Sequence, residues 1–319
     1  MPNTHPGMSV MPTVWRPQEI GEAYRMKQSL GETAVYAAGG TLLRTQWEAG
    51  TAVLPAHLID LSAVPMLAGY ALEPSELVIG ACCPLAALRK DPLVQTAFPL
   101  LAEAVRNIAA PSIRNLATLG GNVVSRIGDS LPALLADEAE LIWLGKNGMQ
   151  AEPLEDWLAA SGSEQAGRVL VQIRVQHGTE SVNGAGTMND IRSAPLLKVD
   201  SDRSASVRIY HKVGRREAFT PSVGSLAISA GMEHAAGKLK EVRIAAGGGQ
   251  TIPKRLERTE RLLERHADPL GEDCAAEVHR SAMDEFEPVG DLFASRGYRK
   301  MTVANLLVAE LWRLRERFA

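Results

Sequence analysis

Two short glycine-pair stretches carry the residue types of an anion site. One is Ala37-Ala38-Gly39-Gly40-Thr41; the other is Ile113-Arg114-Asn115-Leu116-Ala117-Thr118-Leu119-Gly120-Gly121-Asn122. Adjacent glycines reach backbone conformations closed to other residues and let a ligand approach the main chain. Thr41 and Thr118 add hydroxyls and Asn122 an amide, all able to reach a polar ligand. Two such loops, their N–H groups turned to a common concave surface, would cradle the two phosphates of a dinucleotide. Either loop alone is a weak signal, because a Gly-Gly pair more often marks a plain turn.

The surrounding pattern supports the first loop. Thr33 to Ala38 reads as a strand, and Leu42, Leu43 and Trp47 follow Thr41 at helical spacing. A strand, a glycine turn and a helix N-terminus make a good phosphate site. Farther on, Asp129 just precedes an apolar helix over 131–137, where it is either an N-cap or a carboxylate that accepts from a ligand hydroxyl. Leu170 sits in the alternating strand 168–175, and Lys212 in the strand 206–213, where His211 points to the opposite face. Core packing explains Leu170 and surface solvation explains Lys212 on residue type alone. Other chemistries lack their motifs. There is no GxGxxG after a strand, no P-loop, no HExxH or paired-cysteine zinc pattern and no GxSxG elbow. No catalytic or metal-binding set is expected.

Composition sets the outer bounds. The chain has 319 residues, 45% apolar and 22% charged, enough for two or three cores in an ordinary soluble protein. A net charge of −3 points to no nucleic-acid or membrane-surface partner. The apolar runs at 131–135 and 305–311 are too short to span a bilayer, and residues 1–12 do not read as a secretory signal. A cytoplasmic location is the resulting expectation. Three cysteines, Cys82, Cys83 and Cys274, make no disulfide framework and cannot alone hold a four-cysteine iron–sulfur cluster. Cys82 and Cys83, at the end of the strand-like run 77–81, read as small buried hydrophobes.

The remaining elements follow from periodicity. Helices are expected over 19–30, 91–109, 154–160, 254–266, 273–286 and 298–317, and strands over 57–61, 77–81, 140–144, 223–230 and 238–245. The stretch 178–202 lacks periodicity and reads as a long connecting loop, and Gly247-Gly248-Gly249 as a turn before Pro253.

The segments "AGGT" at 38–41, "IRNLATLGGN" at 113–122, "GDSLPALLADEAEL" at 128–141, "YHKVGRR" at 210–216 and "ASRGYRK" at 294–300 occur together and in order. In this the chain resembles the FAD-binding medium subunit of the molybdenum hydroxylases, the xanthine dehydrogenase, aldehyde oxidase and carbon monoxide dehydrogenase group. The resemblance implies an α+β fold. A two-lobed FAD-binding domain of the PCMH/VAO-like type would occupy 1–177, with a lobe boundary near 62–75. A linker loop at 178–202 and an α+β C-terminal domain with an antiparallel sheet and helices at 203–319 would follow. It implies FAD held by Ala37, Ala38, Gly39, Gly40, Thr41, Thr118, Gly121 and Asn122, with Asp129 at the nucleotide ribose and Leu170 and Lys212 at the flavin ring. The expected partners are a molybdopterin-binding large subunit and a 2Fe-2S small subunit, with NAD as one acceptor. Two departures stand out: Leu42 replaces the acid that usually follows the threonine, and Ile108 stands where relatives often carry an aromatic residue near the ring. Leu42 leaves room for a different class of protein, a non-catalytic assembly homologue that has lost FAD. A self-contained flavin oxidase is disfavoured, since no base is evident near the ring.

Overall fold

The computed structural model describes residues 11–160, 167–176, 196–199, 204–214, 222–233 and 237–318. The chain begins with a small parallel sheet. β1 (Thr13–Trp15), α1 (Ile20–Leu30), β2 (Ala34–Ala37), α2 (Thr41–Glu48) and β3 (His57–Asp60) assemble in the strand order β1-β3-β2, with both pairs parallel. Parallel neighbours need crossovers, and the two helices provide them. Gly31, at φ 58°, ends α1, and the Lys27 ammonium closes that end by donating to the carbonyls of Gly31 (2.9 Å) and Ala34 (2.6 Å).

A second, antiparallel sheet has the order β4-β5-β8-β6-β7. Its first strands, β4 (Tyr70–Leu72) and β5 (Glu76–Gly80), are separated from the rest by six helices. These are α3 (Leu85–Lys90), α4 (Pro92–Ala97), α5 (Pro99–Asn107), α6 (Pro111–Arg114), α7 (Leu119–Val124) and α8 (Leu131–Ala136). β6 (Glu140–Gly145), β7 (Gly148–Pro153), α9 (Leu154–Ala159) and β8 (Val169–Gln176) follow. Leu77, Ile79, Leu141, Ile173 and Val175 of the sheet pack on Leu88, Leu101 and Val105 of the helices. The single helix expected over 91–109 is two. Pro99 lacks the N–H a continuous helix needs and holds Phe98 at φ −127°, ψ 61°, so the chain breaks and restarts. β7 was not expected, although Asn147-Gly148 at its start is a strong hairpin signal; Gly148, its first residue, pairs with Gly145 and takes φ 84°.

The third sheet, of order β13-β12-β11-β10-β9, is antiparallel throughout. It comprises β9 (Leu196–Val199), β10 (Ser204–Gly214), β11 (Ser222–Glu233), β12 (Lys238–Gly248) and β13 (Thr251–Arg255). Helices α10 (Glu257–Arg265), α11 (Glu272–Glu285) and α12 (Arg296–Phe318) complete the chain. Val207, Ile209, Leu226, Ile228 and Ile244 bury one sheet face against Val278, Phe286, Leu307 and Leu311. Two expectations are corrected. The stretch 178–202 contains β9 and is not loop throughout; its other residues lie outside the described ones. The helix expected from 254 starts at Glu257. Gly247 and Gly248 end β12, and Pro253 lies in β13, an edge strand, where a missing ladder donor is tolerated. Beyond the reach of β13, Glu264 and Glu260 of α10 accept from the N–H groups of Val242 (2.9 Å) and Ile244 (2.8 Å).

The other face of this sheet receives α5 and α8. Leu100, Ala104, Ala133 and Ala136 meet Tyr210 and Ala227 there, and the small alanines permit close approach. At the edge of this contact Glu138 pairs with Arg243 (2.6 Å), and Arg255 lies 3.6 Å from both Glu138 and Glu155. Beside this network burial pushes the Asp137 carboxyl up to about 7; Glu138 adds to the shift, while Arg208 and Arg243 oppose it. A carboxyl whose native pKa exceeds the usual value near about 4 favours folding most below that value, and the advantage is lost as pH rises through the native pKa. Asp137→Asn removes this titration. We therefore expect the melting temperature of the native chain to fall relative to Asp137→Asn, by a few degrees, between about pH 5 and about pH 8.5. Parallel pH profiles of the two proteins would refute it.

Candidate functional site

The two glycine loops touch through their main chains. A Cβ built on Gly39 would stand 1.8 Å from the Leu116 carbonyl oxygen, so only glycine fits there. Gly40 takes φ 65° as the N-cap of α2, and a Cβ on it would meet nothing within 4 Å, so it borders open space. No side chain caps α2, which leaves its first-turn N–H groups for a ligand.

The second loop is fixed to the second sheet. The N–H groups of Leu85, Leu119 and Gly120 donate to the carbonyls of Ala117 (2.9 Å), Cys83 (3.0 Å) and Ala81 (3.0 Å), and Ala81 donates to Val171 of β8 (3.0 Å). Gly120 is pressed on Ala81, where a Cβ would stand 2.4 Å from the carbonyl oxygen. Just before this loop, Ala109 takes the strained φ 47°. Arg114, a buried cation, holds this turn: its Nη1 donates to the carbonyls of Ile108 (2.7 Å), Ala109 (2.5 Å) and Arg106 (3.3 Å).

A buried ion pair lies at the same turn. Lys212 Nζ, on a side chain only 4% exposed, donates to Asp129 Oδ2 (2.8 Å) and to the Asn107 carbonyl (3.0 Å) at the end of α5. Ser222 Oγ donates to Asp129 Oδ1 (2.6 Å), and the Tyr210 hydroxyl to the Asp129 carbonyl (2.7 Å). Burial, then the nearby Asp129 carboxylate, push the Tyr210 hydroxyl well above its ordinary value, so it stays a donor. His211 faces the other side of β10, where its Nε2 meets Glu310 Oε1 at 2.7 Å.

The expected site residues thus fall into three groups. Ala37, Ala38, Gly39, Gly40 and Thr41 form the β2–α2 turn, against the loop that carries Thr118, Gly121 and Asn122. Within that loop Thr118 caps α7, accepting from the Gly121 N–H (3.0 Å), and Asn122 Oδ1 accepts from the Ser130 N–H (3.1 Å) and hydroxyl (2.6 Å). These two side chains shape the loop. Asp129 and Lys212 come together, and the N-cap reading of Asp129 is corrected: it caps no helix, and its carboxylate accepts from Lys212 at Oδ2 and from Ser222 at Oδ1. Leu170, 4% exposed, is a core residue opposite Trp143. Ile108, 7% exposed, is also in the core. Sequence reading missed Arg114, Tyr210 and Ser222 as parts of this centre; nothing in their spacing connects them. Cys83 is buried and Cys82 half-buried, and burial pushes both thiols up to about 12, far from the reactive thiolate form.

The donor set, two main-chain glycine turns with hydroxyls beside the buried cations Arg114 and Lys212, is the chemistry of an anionic nucleotide site in an α+β protein. The family follows from comparison. Residues 8–176 match the model for the FAD binding domain in molybdopterin dehydrogenase, and residues 208–313 that for the CO dehydrogenase flavoprotein C-terminal domain. The chain belongs to this family of molybdenum hydroxylase flavoproteins, whose cofactor is FAD. Carbon monoxide dehydrogenase medium chains of Hydrogenophaga pseudoflava and Afipia carboxidovorans are 37% and 35% identical to it, over 50% and 38% of this chain. The chain spans 56% and 42% of those relatives' length. A putative xanthine dehydrogenase FAD-binding subunit of Escherichia coli is 23% identical over 76% of each chain. A solved carbon monoxide dehydrogenase from Hydrogenophaga pseudoflava superposes with TM-score 0.78 at 26% identity, covering 94% of this chain and 95% of that one. No helix among the described residues is long and apolar enough to cross a membrane.

The loop contact yields a direct test. Gly39→Ala must push the two loops apart, so FAD affinity should fall by about tenfold or more, whereas Gly40→Ala, with open space and only a φ penalty of roughly 1 kcal/mol, should cost less. Flavin fluorescence titration of the two apoproteins checks this order. Equal affinities would remove the loop contact from the site.

Proposed function

We propose that the chain is the FAD-carrying electron-transfer subunit of a cytoplasmic molybdopterin-dependent dehydrogenase or hydroxylase. It is built from an FAD domain over 1–177 and a C-terminal domain over 203–319. In this reading a molybdopterin-binding large subunit oxidises the substrate, a 2Fe-2S small subunit relays the electrons, and NAD or another acceptor receives them. The observation that carries the proposal is the buried Lys212 cation at the end of the turn that leads into the second glycine loop. The α2 N-terminus and the loop of Gly120 and Gly121 would hold the pyrophosphate, and Lys212 would stand at the ring. Asp129 would act on the ring side through the Lys212 ammonium that it binds.

Bound FAD supplies one- and two-electron redox chemistry. What the chain contributes is the electrostatic setting of that chemistry. A fixed cation near the N1 and C2=O edge favours the reduced, anionic form and raises the potential. Such a charge at a few ångströms is worth roughly 1–4 kcal/mol, and about 1.4 kcal/mol corresponds to about 30 mV for a two-electron couple. The chain needs no acid or base of its own for this task. The substrate would be selected by the molybdenum subunit, and the higher identity to carbon monoxide dehydrogenase medium chains favours that type over the xanthine type.

Two measurements test it. The visible spectrum of the purified chain, with released flavin identified by chromatography, should give close to one FAD per chain. A folded chain that takes up no FAD on reconstitution would instead favour the assembly-homologue reading. Lys212→Met should retain FAD while its midpoint potential moves negative by on the order of 50 mV. An unchanged potential would remove Lys212 from the ring.

A further inference from the structure

The Asp129–Lys212 pair is held from outside by a residue that neither the fold nor the electron-transfer reading requires. Ser222 opens β11 and is buried. Its hydroxyl donates to Asp129 Oδ1 at 2.6 Å, the oxygen Lys212 does not use. Its carbonyl is fixed as well: it accepts from Gly249 N–H at 2.7 Å and from Arg299 Nη1 at 3.0 Å. Arg299 is 2% exposed; Nη1 also donates to the Val223 carbonyl (2.6 Å) and Nη2 to Asp291 Oδ2 (2.5 Å). Gly249 is pressed on this guanidinium, and a Cβ there would stand 2.6 Å from Arg299 Cζ. One unbroken line of contacts therefore runs from Asp291 through Arg299, Ser222 and Asp129 to the Lys212 ammonium.

We infer that Ser222 is a positioning residue for Lys212: its hydroxyl fixes the Asp129 carboxylate and so sets where the ammonium stands and how much of its charge is felt at the flavin, with Arg299 fixing Ser222 in turn. The inference rests on the reading that Lys212 faces the flavin ring. Its physical basis is the sharing of the carboxylate. A hydroxyl donating to Oδ1 fixes the orientation of the carboxylate, so that Oδ2 holds the ammonium in one place. Without that donor the carboxylate is free to turn and draws the ammonium with it, away from its place at the ring. The net positive potential on the ring side falls, and the reduced flavin is less favoured.

The test uses the full chain reconstituted with FAD and reads the midpoint potential by dye equilibration for four proteins: native, Ser222→Ala, Lys212→Met and the double variant. The expected result is a negative shift in Ser222→Ala, smaller than that of Lys212→Met. In the double variant the serine change should add nothing, since its only route to the flavin is the lysine. Arg299→Lys, which keeps the charge but cannot span Ser222, Val223 and Asp291, should shift the potential the same way. The Ser222→Ala result decides independently if Arg299→Lys does not fold. If Lys212→Met shifts the potential and Ser222→Ala does not, the inference is overturned while the placement of Lys212 stands. A serine effect that persists in the lysine-less background also overturns it. If neither single variant shifts the potential, the placement of Lys212 at the ring fails, and the inference falls with it.

Discussion

A buried ammonium is the constraint around which this molecule is arranged. Lys212 is withdrawn from water, and removing a charge from water costs several kcal/mol unless partners replace the solvent. Those partners come from separate parts of the chain: the Asn107 carbonyl from the end of α5, the Asp129 carboxylate from the segment before α8, and, one contact out, Ser222 from β11. The pair is tolerable only while the N-terminal helices stay docked on the third sheet. The alanine-rich contact of α5 and α8 with Tyr210 and Ala227 provides that docking without forcing the polar groups apart. Apolar contact supplies the closeness, and the ion pair selects one arrangement among the close ones.

The turn after α5 links this cation to the glycine loops. Lys212 binds the carbonyl of Asn107, and Arg114 binds those of Arg106, Ile108 and Ala109, so two cations gather the carbonyls at a helix C-terminus. With its carbonyls held, Ala109 can keep a left-handed conformation that costs a residue with a side chain. That conformation redirects the chain into α6 and the loop that meets Gly39 at Leu116. The placement of the second glycine loop and that of the Lys212 cation thus depend on the same few carbonyl groups.

The sequence made some of this legible and withheld the rest for identifiable reasons. Glycine turns are local, and their strand–turn–helix setting at 34–48 could be read from spacing, as could the alternation of β10 that sends Lys212 and His211 to opposite faces. The break at Phe98-Pro99 was also written locally, but the apolar periodicity on either side outweighed it. Pro253 misled in the opposite way: a proline suits a helix start, and only the edge position of β13 explains why it suits a strand too. The partners of Asp129 were out of reach. Ser222 is 93 residues away and Lys212 only slightly nearer, and no period or motif joins a serine to a distant carboxylate. Such pairs follow from docking, which the chain decides only as a whole.

This division bears on how departures from the family pattern should be weighed. At the first loop the groups offered to an anion are main-chain N–H groups, supplied by the αL turn at Gly40 whatever side chain stands at 42. Leu42, 41% exposed, changes the surface beside the cradle and leaves those donors in place. At the ion pair the reverse holds, because the chemistry is carried by side chains: an ammonium, a carboxylate and a hydroxyl with fixed roles. A substitution at 212, 129 or 222 therefore alters the electrostatics of the site directly, whereas one at 42 acts on what packs against it. In the proposed reading, main-chain groups at the first loop would retain the cofactor and side chains at the ion pair would tune its potential, so each could vary without the other.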